Sequence, residues 1–306
     1  MIATALLQSI AQRLRGHGIP DSAKEAELML TVVSGLSRPQ LYASVCAIPP
    51  ETISTIQTYA ARRIKGEPLH YILGHLEFMG LKISVGPGVL IPRPETELLV
   101  EEAIRRLRNL NSPTGGASEA EFRTQESEAS SLQSSIRFSI LDLCSGSGCI
   151  ALSLALAFPA AHVWGVDISP DALVYARKNA AANSIGNVTF VEGNLFAPLA
   201  GRKFRCITAN PPYIKTADIA HLQVEIREHE PFNALNGGTD GFDFYRRILA
   251  EAPAFLERGG LLIMELGQDQ AEAAARIAHE QGFDTVQFRE DYAGIRRFFA
   301  GQVSAH

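Results

Sequence analysis

The sequence predicts an α/β protein in which a small helical N-terminal domain precedes a doubly wound parallel β-sheet. In the first 75 residues, apolar side chains recur at the three- and four-residue spacing of helices. From residue 138 onward, short apolar runs alternate with helical segments, a pattern typical of a parallel sheet covered by helices on both faces. With 306 residues and 46% hydrophobic content, the chain is large enough for two domains with buried cores.

The helical domain, residues 1–75, is predicted from three apolar stripes separated by turn residues. The first stripe contains Leu6, Leu7, Ile10 and Leu14, and the others run through residues 26–33 and 53–64. No convergent set of catalytic side chains stands out among these helices. We therefore interpret this part as a substrate-docking domain.

The next segment, residues 76–110, is predicted to form a hairpin and a connecting helix. Apolar residues alternate over short stretches between 78 and 85, and the proline-rich run 91–97 leads into a helical pattern. Glu95 or Thr96 could help to start that helix.

Residues 111–136 are predicted to form a flexible insertion, because they are rich in Ser, Thr, Gly, Glu and Gln with almost no large apolar residues. The catalytic domain, residues 137–306, follows this insertion.

Strands and helices are predicted in alternation through the catalytic domain. The expected strands are 138–143, 162–168, 188–192, 205–209 and 261–266, followed by a closing pair at 283–290 and 296–300. The expected helices are 149–157, 170–183, 242–256 and 268–281. Ligands of such sheets bind beyond the carboxyl ends of the strands, which is where functional residues are to be sought.

Charge and cysteine usage exclude several classes of protein. The net charge is −5 and no block of Lys or Arg stands out, which argues against binding duplex nucleic acid by bulk phosphate attraction. The four cysteines match no zinc spacing and are expected to be reduced thiols, and no metal is expected. No signal peptide or membrane span is evident, so we expect a cytoplasmic protein outside the membrane.

The most informative stretch is Asn210-Pro211-Pro212-Tyr213, directly after the apolar run 206–209. It offers a side-chain amide, a backbone carbonyl of fixed direction and an aromatic face at the end of a predicted strand. Such a set suits a planar substrate whose NH2 group must be held from two sides, because accepting a hydrogen bond from each N–H would favour the pyramidal nitrogen that attacks. A strand followed by a proline turn explains the same residues without any ligand, since Asn-Pro often marks turns.

A cofactor site is indicated by two carboxylates at predicted strand ends. Asp142 precedes a glycine turn at the end of the first strand, and Asp167 ends the second. Asp167 could accept hydrogen bonds from both hydroxyls of a ribose, whereas Asp142 could meet an ammonium group. The turn is neither Gly-x-Gly-x-x-Gly nor a phosphate loop, so S-adenosylmethionine fits these groups better than a dinucleotide. The candidate residues of the turn are Cys144, Ser145, Gly146, Ser147 and Gly148.

The loop after the third predicted strand supplies two further candidates. Asn194 is placed where it could contact an adenine, and Leu195 could pack on the ring. A polar loop followed by core residues is an equally simple interpretation of this stretch.

Taken together, these motifs resemble the bacterial glutamine methyltransferases that modify peptide chain release factors. The resemblance covers most of the chain, from the helical domain to the last strands. The matching residues are Gly66-Glu67-Pro68-Leu69-His70-Tyr71-Ile72, Gly74, Glu77-Phe78, Leu90-Ile91-Pro92-Arg93-Pro94-Glu95-Thr96-Glu97, residues 142–148, Asp167, residues 210–213, Glu230-Pro231, Gly237-Gly238-Thr239-Asp240-Gly241 and Glu265-Leu266-Gly267. Asn-Pro-Pro-Tyr alone is shared with DNA adenine methyltransferases, and the segment 91–97 makes the match specific.

The resemblance implies a Rossmann-like S-adenosylmethionine-dependent methyltransferase sheet with a small helical N-terminal domain. It further implies methyl transfer from S-adenosylmethionine to the glutamine amide nitrogen in the Gly-Gly-Gln motif of class 1 release factors. By the same resemblance, the Asn210 side-chain oxygen and the Pro211 carbonyl would accept the two amide hydrogens and Tyr213 would pack on the amide plane, with Pro212 lining the substrate site. Asn210 is also expected to border the cofactor.

Two positions depart from the family pattern, and two other functions remain open. Family members often have Gly at the position of Cys144 and Asp at the position of Asn194. The alternative enzyme is a DNA or RNA adenine amino-methyltransferase, which would need a target-recognition region and usually a basic face. A non-catalytic binding protein would have been favoured by loss of Asn210 or Asp167, and both are present. We expect a monomer whose partner is a release factor and which makes no stable complex with nucleic acid.

Overall fold

The computed structural model describes residues 2–43, 46–110 and 138–303. The predicted flexible insertion, 111–136, lies outside the described residues. The chain divides into two compact units. The helical unit comprises Met1–Leu76, Val85–Pro87 and Leu222–His229, and the catalytic unit comprises Glu77–Ser84, Gly88–His221 and Glu230–His306.

The helical unit is built from short amphipathic helices around one apolar core. Its helices are α1 (Ala3–Gly16), α2 (Ser22–Ser34), α3 (Arg38–Tyr42), α4 (Pro50–Ile64) and α5 (Leu69–Leu73). All four members of the first predicted stripe are buried in this core. Chain breakers set the helix ends: α2 is followed by Gly35 in the left-handed conformation (φ 70°), and Pro50 opens α4.

A hairpin and a helix follow in sequence. Strands β1 (His75–Phe78) and β2 (Leu81–Ser84) form a two-stranded sheet, and α6 (Thr96–Leu110) comes next. The segment Leu222–His229 of the helical unit contains the short helix α9 (Val224–His229).

The catalytic unit contains a seven-stranded sheet in the order β5-β4-β3-β6-β7-β9-β8. The strands are β3 (Ser139–Leu143), β4 (His162–Asp167), β5 (Val188–Glu192), β6 (Phe204–Ala209), β7 (Leu256–Glu265), β8 (Phe283–Glu290) and β9 (Arg296–Val303). The first five in chain order are parallel, and β9 runs antiparallel between β7 and β8. The helices are α7 (Cys149–Ala157), α8 (Pro170–Ala182), α10 (Phe232–Leu235), α11 (Asp243–Phe255) and α12 (Ala271–Glu280).

The strand order reverses between β3 and β6, and this places the functional loops. From β3 the chain adds β4 and β5 on one side, then returns to add β6 and β7 on the other. The carboxyl ends of β3 and β6 are therefore neighbours, with Leu143 paired to Ala209. A crevice at such a switch point is where open α/β sheets bind ligands.

Strand β7 differs from the sequence prediction because it begins five residues earlier, at Leu256 instead of residue 261. Its early part carries Gly259 and Gly260, which weaken the apolar pattern, and pairing with β6 shifts register between Phe204 and Cys206. Glycine and a register irregularity inside a strand are hard to detect from alternation alone. The carboxyl end of β7 nevertheless places Glu265 beside the other strand ends.

Candidate active site

The turn between β3 and α7 runs through three left-handed backbone positions. Cys144, Gly146 and Gly148 have φ values of 55°, 55° and 80°. A Cβ on Gly148 would lie 2.8 Å from the Phe190 ring, so this position requires glycine for space as well as for conformation. Cys144 adopts the same backbone region with a side chain, which explains physically why glycine would fit its position. Burial raises the pKa of the Cys144 thiol, so the thiol is neutral at physiological pH.

Asp142 anchors this turn from below. Its side chain is fully buried, and its two carboxylate oxygens accept hydrogen bonds from the Ser145 hydroxyl at 2.7 Å and the Thr208 hydroxyl at 3.0 Å. Burial raises the pKa of Asp142 to about 7, with the Asp167 charge adding to the effect. Since the Asp142 side chain has no exposed surface, it would attract a cofactor ammonium through its electric field rather than by direct contact.

Asp167 lies at the carboxyl end of β4 and is only partly buried. Its oxygens accept hydrogen bonds from the backbone N–H groups of Gly146 at 2.7 Å and Ser169 at 2.8 Å. These bonds fix the carboxylate between the glycine turn and the start of α8, where Ser169 caps the helix. The next residue, Ile168, exposes 59% of its surface and supplies an apolar face beside the carboxylate.

The structure separates the two candidates in the loop after β5. Asn194 is exposed, and its side-chain oxygen accepts a hydrogen bond from Arg247 at 2.8 Å. Leu195 has a left-handed backbone (φ 52°) and is buried in the core with Phe196. Its side chain therefore forms the floor of this loop instead of an open surface, and Arg247 is a neighbour that the sequence did not suggest.

The Asn210 carboxamide is held by a chain of side-chain hydrogen bonds. Its nitrogen donates to the Thr96 hydroxyl at 3.3 Å, and that hydroxyl donates to Glu265 at 2.7 Å. Tyr213 donates its hydroxyl to the other oxygen of Glu265 at 3.2 Å. Among the described residues the Asn210 oxygen has no hydrogen-bond partner, and it is not one of their buried unpaired atoms. This oxygen is therefore available to accept a hydrogen bond from a ligand.

The backbone after Asn210 is packed against a glycine segment. Pro211 and Pro212 are buried. A Cβ on Gly237 would lie 2.7 Å from the Tyr213 Cα, and one on Gly241 would lie 2.6 Å from the Tyr213 carbonyl oxygen. These close approaches explain why the loop needs glycine at both positions.

Gln270 holds the same loop by hydrogen bonds. Its amide nitrogen donates to the Tyr213 carbonyl at 3.0 Å, and its oxygen accepts from the Gly267 N–H at 2.8 Å and the Tyr245 hydroxyl at 3.0 Å. Burial raises the pKa of Tyr213, so its hydroxyl stays protonated and serves as a hydrogen-bond donor.

The strand-end groups fit S-adenosylmethionine by their chemistry. Asp167 supplies acceptors at a place suited to ribose hydroxyls, and Ile168 offers apolar surface to a flat ring. Asp142 places beside the glycine turn a buried carboxyl group that a positively charged ligand would ionise. The described ranges contain no group of three or more His, Cys, Asp or Glu side chains placed to hold a metal ion. Their helices also include none long and apolar enough to cross a membrane.

Comparison with known proteins assigns the chain to a family. Residues 5–74 match the family described as PrmC N-terminal domain, and residues 135–283 match a methyltransferase domain family. The release factor glutamine methyltransferase of Thermodesulfovibrio yellowstonii is 43% identical over 92% of this chain and 92% of its own length. The chain belongs to the release factor glutamine methyltransferase family. The relative of the same name from Geobacter sulfurreducens is 42% identical over 95% of this chain and 93% of its own length. That from Vibrio cholerae is 35% identical over 97% of this chain and 96% of its own length.

Solved structures agree with this family at the level of fold. The hMettl16 catalytic domain, in complex with the MAT2A 3'UTR hairpin 6, aligns with a TM-score of 0.53 and 15% identity over 86% of this chain and 84% of its own. The delta-N METTL16 MTase domain aligns with a TM-score of 0.50 and 17% identity, over 74% of this chain and 90% of its own. The predicted α/β methyltransferase sheet with a helical N-terminal domain is thereby confirmed, and the nucleic-acid alternative is not favoured, because the close full-length relatives are release factor methyltransferases.

In this member of the release factor glutamine methyltransferase family, several residues that hold the site could not be predicted from the sequence. The sequence indicates Thr96 as a helix start and as part of a matching segment, and Glu265 as part of a matching motif, but it does not indicate that either residue lies beside Asn210. Both lie in segments that the resemblance singled out, and this was the signal available. Gln270 and Thr208 gave no signal, because a buried Gln or Thr cannot be distinguished from a surface one by residue type.

Proposed function

We propose that the protein transfers the methyl group of S-adenosylmethionine to the side-chain amide nitrogen of the glutamine in the Gly-Gly-Gln motif of class 1 peptide chain release factors. The observation that carries this proposal is the Asn210 side-chain oxygen, an available acceptor at the carboxyl end of β6 beside the strand ends suited to the methyl donor. Near-full-length similarity to release factor glutamine methyltransferases supports the choice of acceptor.

The reaction needs positioning more than acid–base chemistry. When bound, S-adenosylmethionine supplies a methyl group on a positively charged sulfur that is already a good leaving group. The amide nitrogen forms the new N–C bond with its lone pair, the S–C bond breaks with its electrons left on sulfur, and one proton passes from nitrogen to solvent. Placement of the nitrogen in line with the methyl group can provide a large part of the rate enhancement.

Asn210 and Pro211 would hold the substrate nitrogen. The Asn210 oxygen accepts one amide N–H and the Pro211 carbonyl accepts the other; among the described residues, neither atom is engaged by another donor. Two accepted hydrogen bonds draw electron density toward nitrogen and favour its pyramidal form, and fixed acceptors of this kind need no reorganisation during reaction. Tyr213, anchored through Glu265, would cover the amide plane, with Pro212 shaping the loop.

Cofactor contacts are assigned to the ends of β3, β4 and β5. Asp167 would hold the ribose hydroxyls, Asp142 would stabilise the ammonium group, and Asn194 would border the adenine. Leu195, which is buried in the core, would support the adenine loop from the inside. The backbone of the glycine turn would lie along the methionine portion, through Cys144, Ser145, Gly146, Ser147 and Gly148.

The helical unit is assigned to docking of the release factor. It has its own apolar core and offers no convergent catalytic set among its described residues. We further propose that the enzyme acts in the cytoplasm as a monomer and forms no stable complex with nucleic acid.

The variant Asn210→Ala tests the proposal. Incubation of a class 1 release factor with the enzyme and S-adenosylmethionine, followed by mass spectrometry of the Gly-Gly-Gln peptide, should reveal one added methyl group on glutamine. We expect Asn210→Ala to lower kcat at least about 100-fold, the size seen when one fixed hydrogen-bonding group of a reaction centre is removed. Binding of S-adenosylmethionine, measured by calorimetry, should persist.

Asn233→Ala is a matched control, because Asn233 is exposed on α10. It should methylate at the wild-type rate. Absence of any methyl group on the release factor with the wild-type enzyme would refute the proposed substrate, and full activity in Asn210→Ala would refute the proposed clamp.

A further inference from the structure

Asn210 can serve as an acceptor only if its carboxamide has one of two orientations. The oxygen and the NH2 group of an amide are nearly equal in size, so packing alone does not choose between them. If the NH2 group faced the substrate amide, two sets of donors would oppose each other. The hydrogen bonds around Asn210 therefore decide whether the clamp works.

Thr96 settles the orientation through a simple count of hydrogens. A hydroxyl has one hydrogen to donate and lone pairs to accept. Thr96 is 1% exposed, and its hydroxyl lies 2.7 Å from a Glu265 oxygen and 3.3 Å from the Asn210 nitrogen. An ionised carboxylate is only an acceptor, so the hydrogen of Thr96 points to Glu265 and its lone pairs face Asn210. The NH2 group of Asn210 must then turn toward Thr96.

Glu265 is suited to this part because donors satisfy both of its oxygens. It is 3% exposed and lies at the carboxyl end of β7. One oxygen accepts from Thr96, and the other accepts from Tyr213 at 3.2 Å. Burial raises the pKa of Glu265 above its usual value, and the two hydroxyls and the positive charge of Arg297 oppose this only in part. The acceptor role of Glu265 rests on geometry, because a hydroxyl donor lies against each of its two oxygens.

We infer that Thr96 and Glu265 are positioning residues that set the Asn210 carboxamide with its oxygen toward the substrate, and that this orientation selects an amide over a carboxylate in the acceptor side chain. The inference rests on the proposed function, because it assigns these two residues to the same clamp. It also gives a role to the segment 91–97 and to the motif that begins at Glu265. Thr96 and Glu265, which join the two by a hydrogen bond, are 169 residues apart in sequence.

The specificity follows from the direction of the hydrogen bonds. With Asn210 fixed, the substrate meets two acceptors, the Asn210 oxygen and the Pro211 carbonyl. A glutamine amide donates to both, whereas a glutamate carboxylate brings only acceptors and is repelled. If Asn210 could turn over, its NH2 group would donate to a carboxylate, and the preference for glutamine would fall.

Thr96→Val tests the inference, because it removes the hydroxyl and nearly preserves the shape. The probes are a class 1 release factor with Gly-Gly-Gln and the same protein with Gly-Gly-Glu, each titrated with the enzyme in the presence of S-adenosylhomocysteine. We expect Thr96→Val to bind the glutamine form more weakly and the glutamate form more tightly, lowering the ratio of the two affinities about tenfold, the effect of about one hydrogen bond. At saturating release factor, kcat should fall as well, because the attacking nitrogen is less well held.

Thr96→Ser is the matched rescue variant, because it restores the hydroxyl, and it should return the affinity ratio to the wild-type value. Unchanged binding of S-adenosylmethionine and an unchanged melting temperature check that each variant is folded. If Thr96→Val does not fold, Thr96→Ala replaces it and should lower the ratio in the same direction.

The outcomes separate this inference from the proposed function. Equal weakening of both release factor forms, or an unchanged ratio, would overturn the role of Thr96 while methylation by the wild type stands. A wild-type enzyme that methylates no release factor would instead overturn the proposed function itself.

Discussion

Asp142 shows at the scale of one residue how the protein places charge beneath a cofactor loop. The carboxylate has no exposed surface, and hydroxyls of Ser145 and Thr208 compensate only part of its lost hydration. Burial consequently raises the pKa of Asp142 to about 7. A positively charged ligand would favour the ionised form. The buried carboxyl therefore lowers the stability of the free protein when it ionises, and in the ionised form it attracts an ammonium group.

Asp142→Asn should alter the dependence of stability on pH. A carboxyl whose folded pKa is raised, here from 3.8 to about 7, contributes stability that is complete below the unfolded pKa and is lost as the pH rises through about 7. The neutral variant lacks this loss, so at pH 8 without cofactor it should be more stable than the wild type by up to about 4 kcal/mol, since each pKa unit corresponds to about 1.4 kcal/mol. Urea unfolding at pH 5 and pH 8 measures the difference.

The control for this comparison is Asp218→Asn, which neutralises an exposed carboxyl. It should keep the wild-type change in unfolding free energy between the two pH values. Asp142→Asn should also bind S-adenosylmethionine more weakly at pH 8. Equal changes with pH in Asp142→Asn and the wild type would contradict a buried, late-titrating Asp142.

Single residues were predictable from sequence where they stand at a strand end. Asp167 and Asn210 each follow an apolar strand, and the structure places both at carboxyl ends of the parallel sheet. The contact between Thr96 and Glu265 could not be predicted in the same way, because α6 begins far from β7 in sequence and nothing in local composition reports which hydroxyl reaches which carboxylate.

At the scale of elements, the loop after β6 owes its shape to neighbours that approach its backbone closely. Gly237 and Gly241 lie against Tyr213, and a Cβ on Gly267 would lie 3.1 Å from the Tyr213 ring. Gln270, just before α12, binds the Tyr213 carbonyl. The glycines in the segment 237–241 and at 267 thus support the clamp loop.

Gly237→Ala should disturb this support without straining its own backbone. The added Cβ would lie 2.7 Å from the Tyr213 Cα, a distance that requires the loop to move. Tyr213 would then leave Glu265, and we expect kcat for release factor methylation to fall at least about tenfold, since small misplacements of reacting groups are costly. Affinity for S-adenosylmethionine, measured by calorimetry, should change less than about twofold.

Gly186→Ala is the control, because a Cβ there has nothing within 4 Å. It should leave kcat unchanged. A Gly237→Ala enzyme with wild-type kcat would show that the loop tolerates displacement and that its glycines are not needed for support.

The elements themselves were predictable because their apolar patterns are strong. Strands β5 and β8 and helix α7 have the predicted bounds. The order of the strands in the sheet is not predictable in this way, because alternation along the chain does not say which strands pair. The predicted start of β7 was wrong because Gly259 and Gly260 interrupt the apolar pattern of the strand. Backbone pairing with β6 does not depend on side-chain polarity, so the strand begins before them.

At the scale of the whole molecule, the helical unit includes a segment from the second half of the chain. Leu222–His229 joins Met1–Leu76 in one compact unit. Arg63 on α4 links this segment to the unit, because its guanidinium pairs with Glu25 on α2 at 2.8 Å and with Glu225 on α9 at 2.5 Å. Sequence alone placed this segment in the catalytic domain, since no local pattern reveals that Glu225 meets Arg63.

Arg63→Met should destabilise the helical unit in particular. Arg63 is 5% exposed, so its removal leaves two poorly hydrated carboxylates without their cation, and breaking a buried pair of this kind costs about 3–5 kcal/mol. Trp164 is the only tryptophan and lies in β4 of the catalytic unit, so its fluorescence reports that unit, whereas far-UV circular dichroism includes the helices of both. In urea, the circular dichroism transition of Arg63→Met should begin well before the fluorescence transition, and a protease should cut residues 222–229 sooner than in the wild type.

Arg62→Met is the matched control: the neighbouring Arg62 is 41% exposed in its pair with Glu67, and exposed pairs contribute at most about 1 kcal/mol. If the two variants unfold alike, the pairing of Arg63 is not what holds the segment Leu222–His229 in the helical unit.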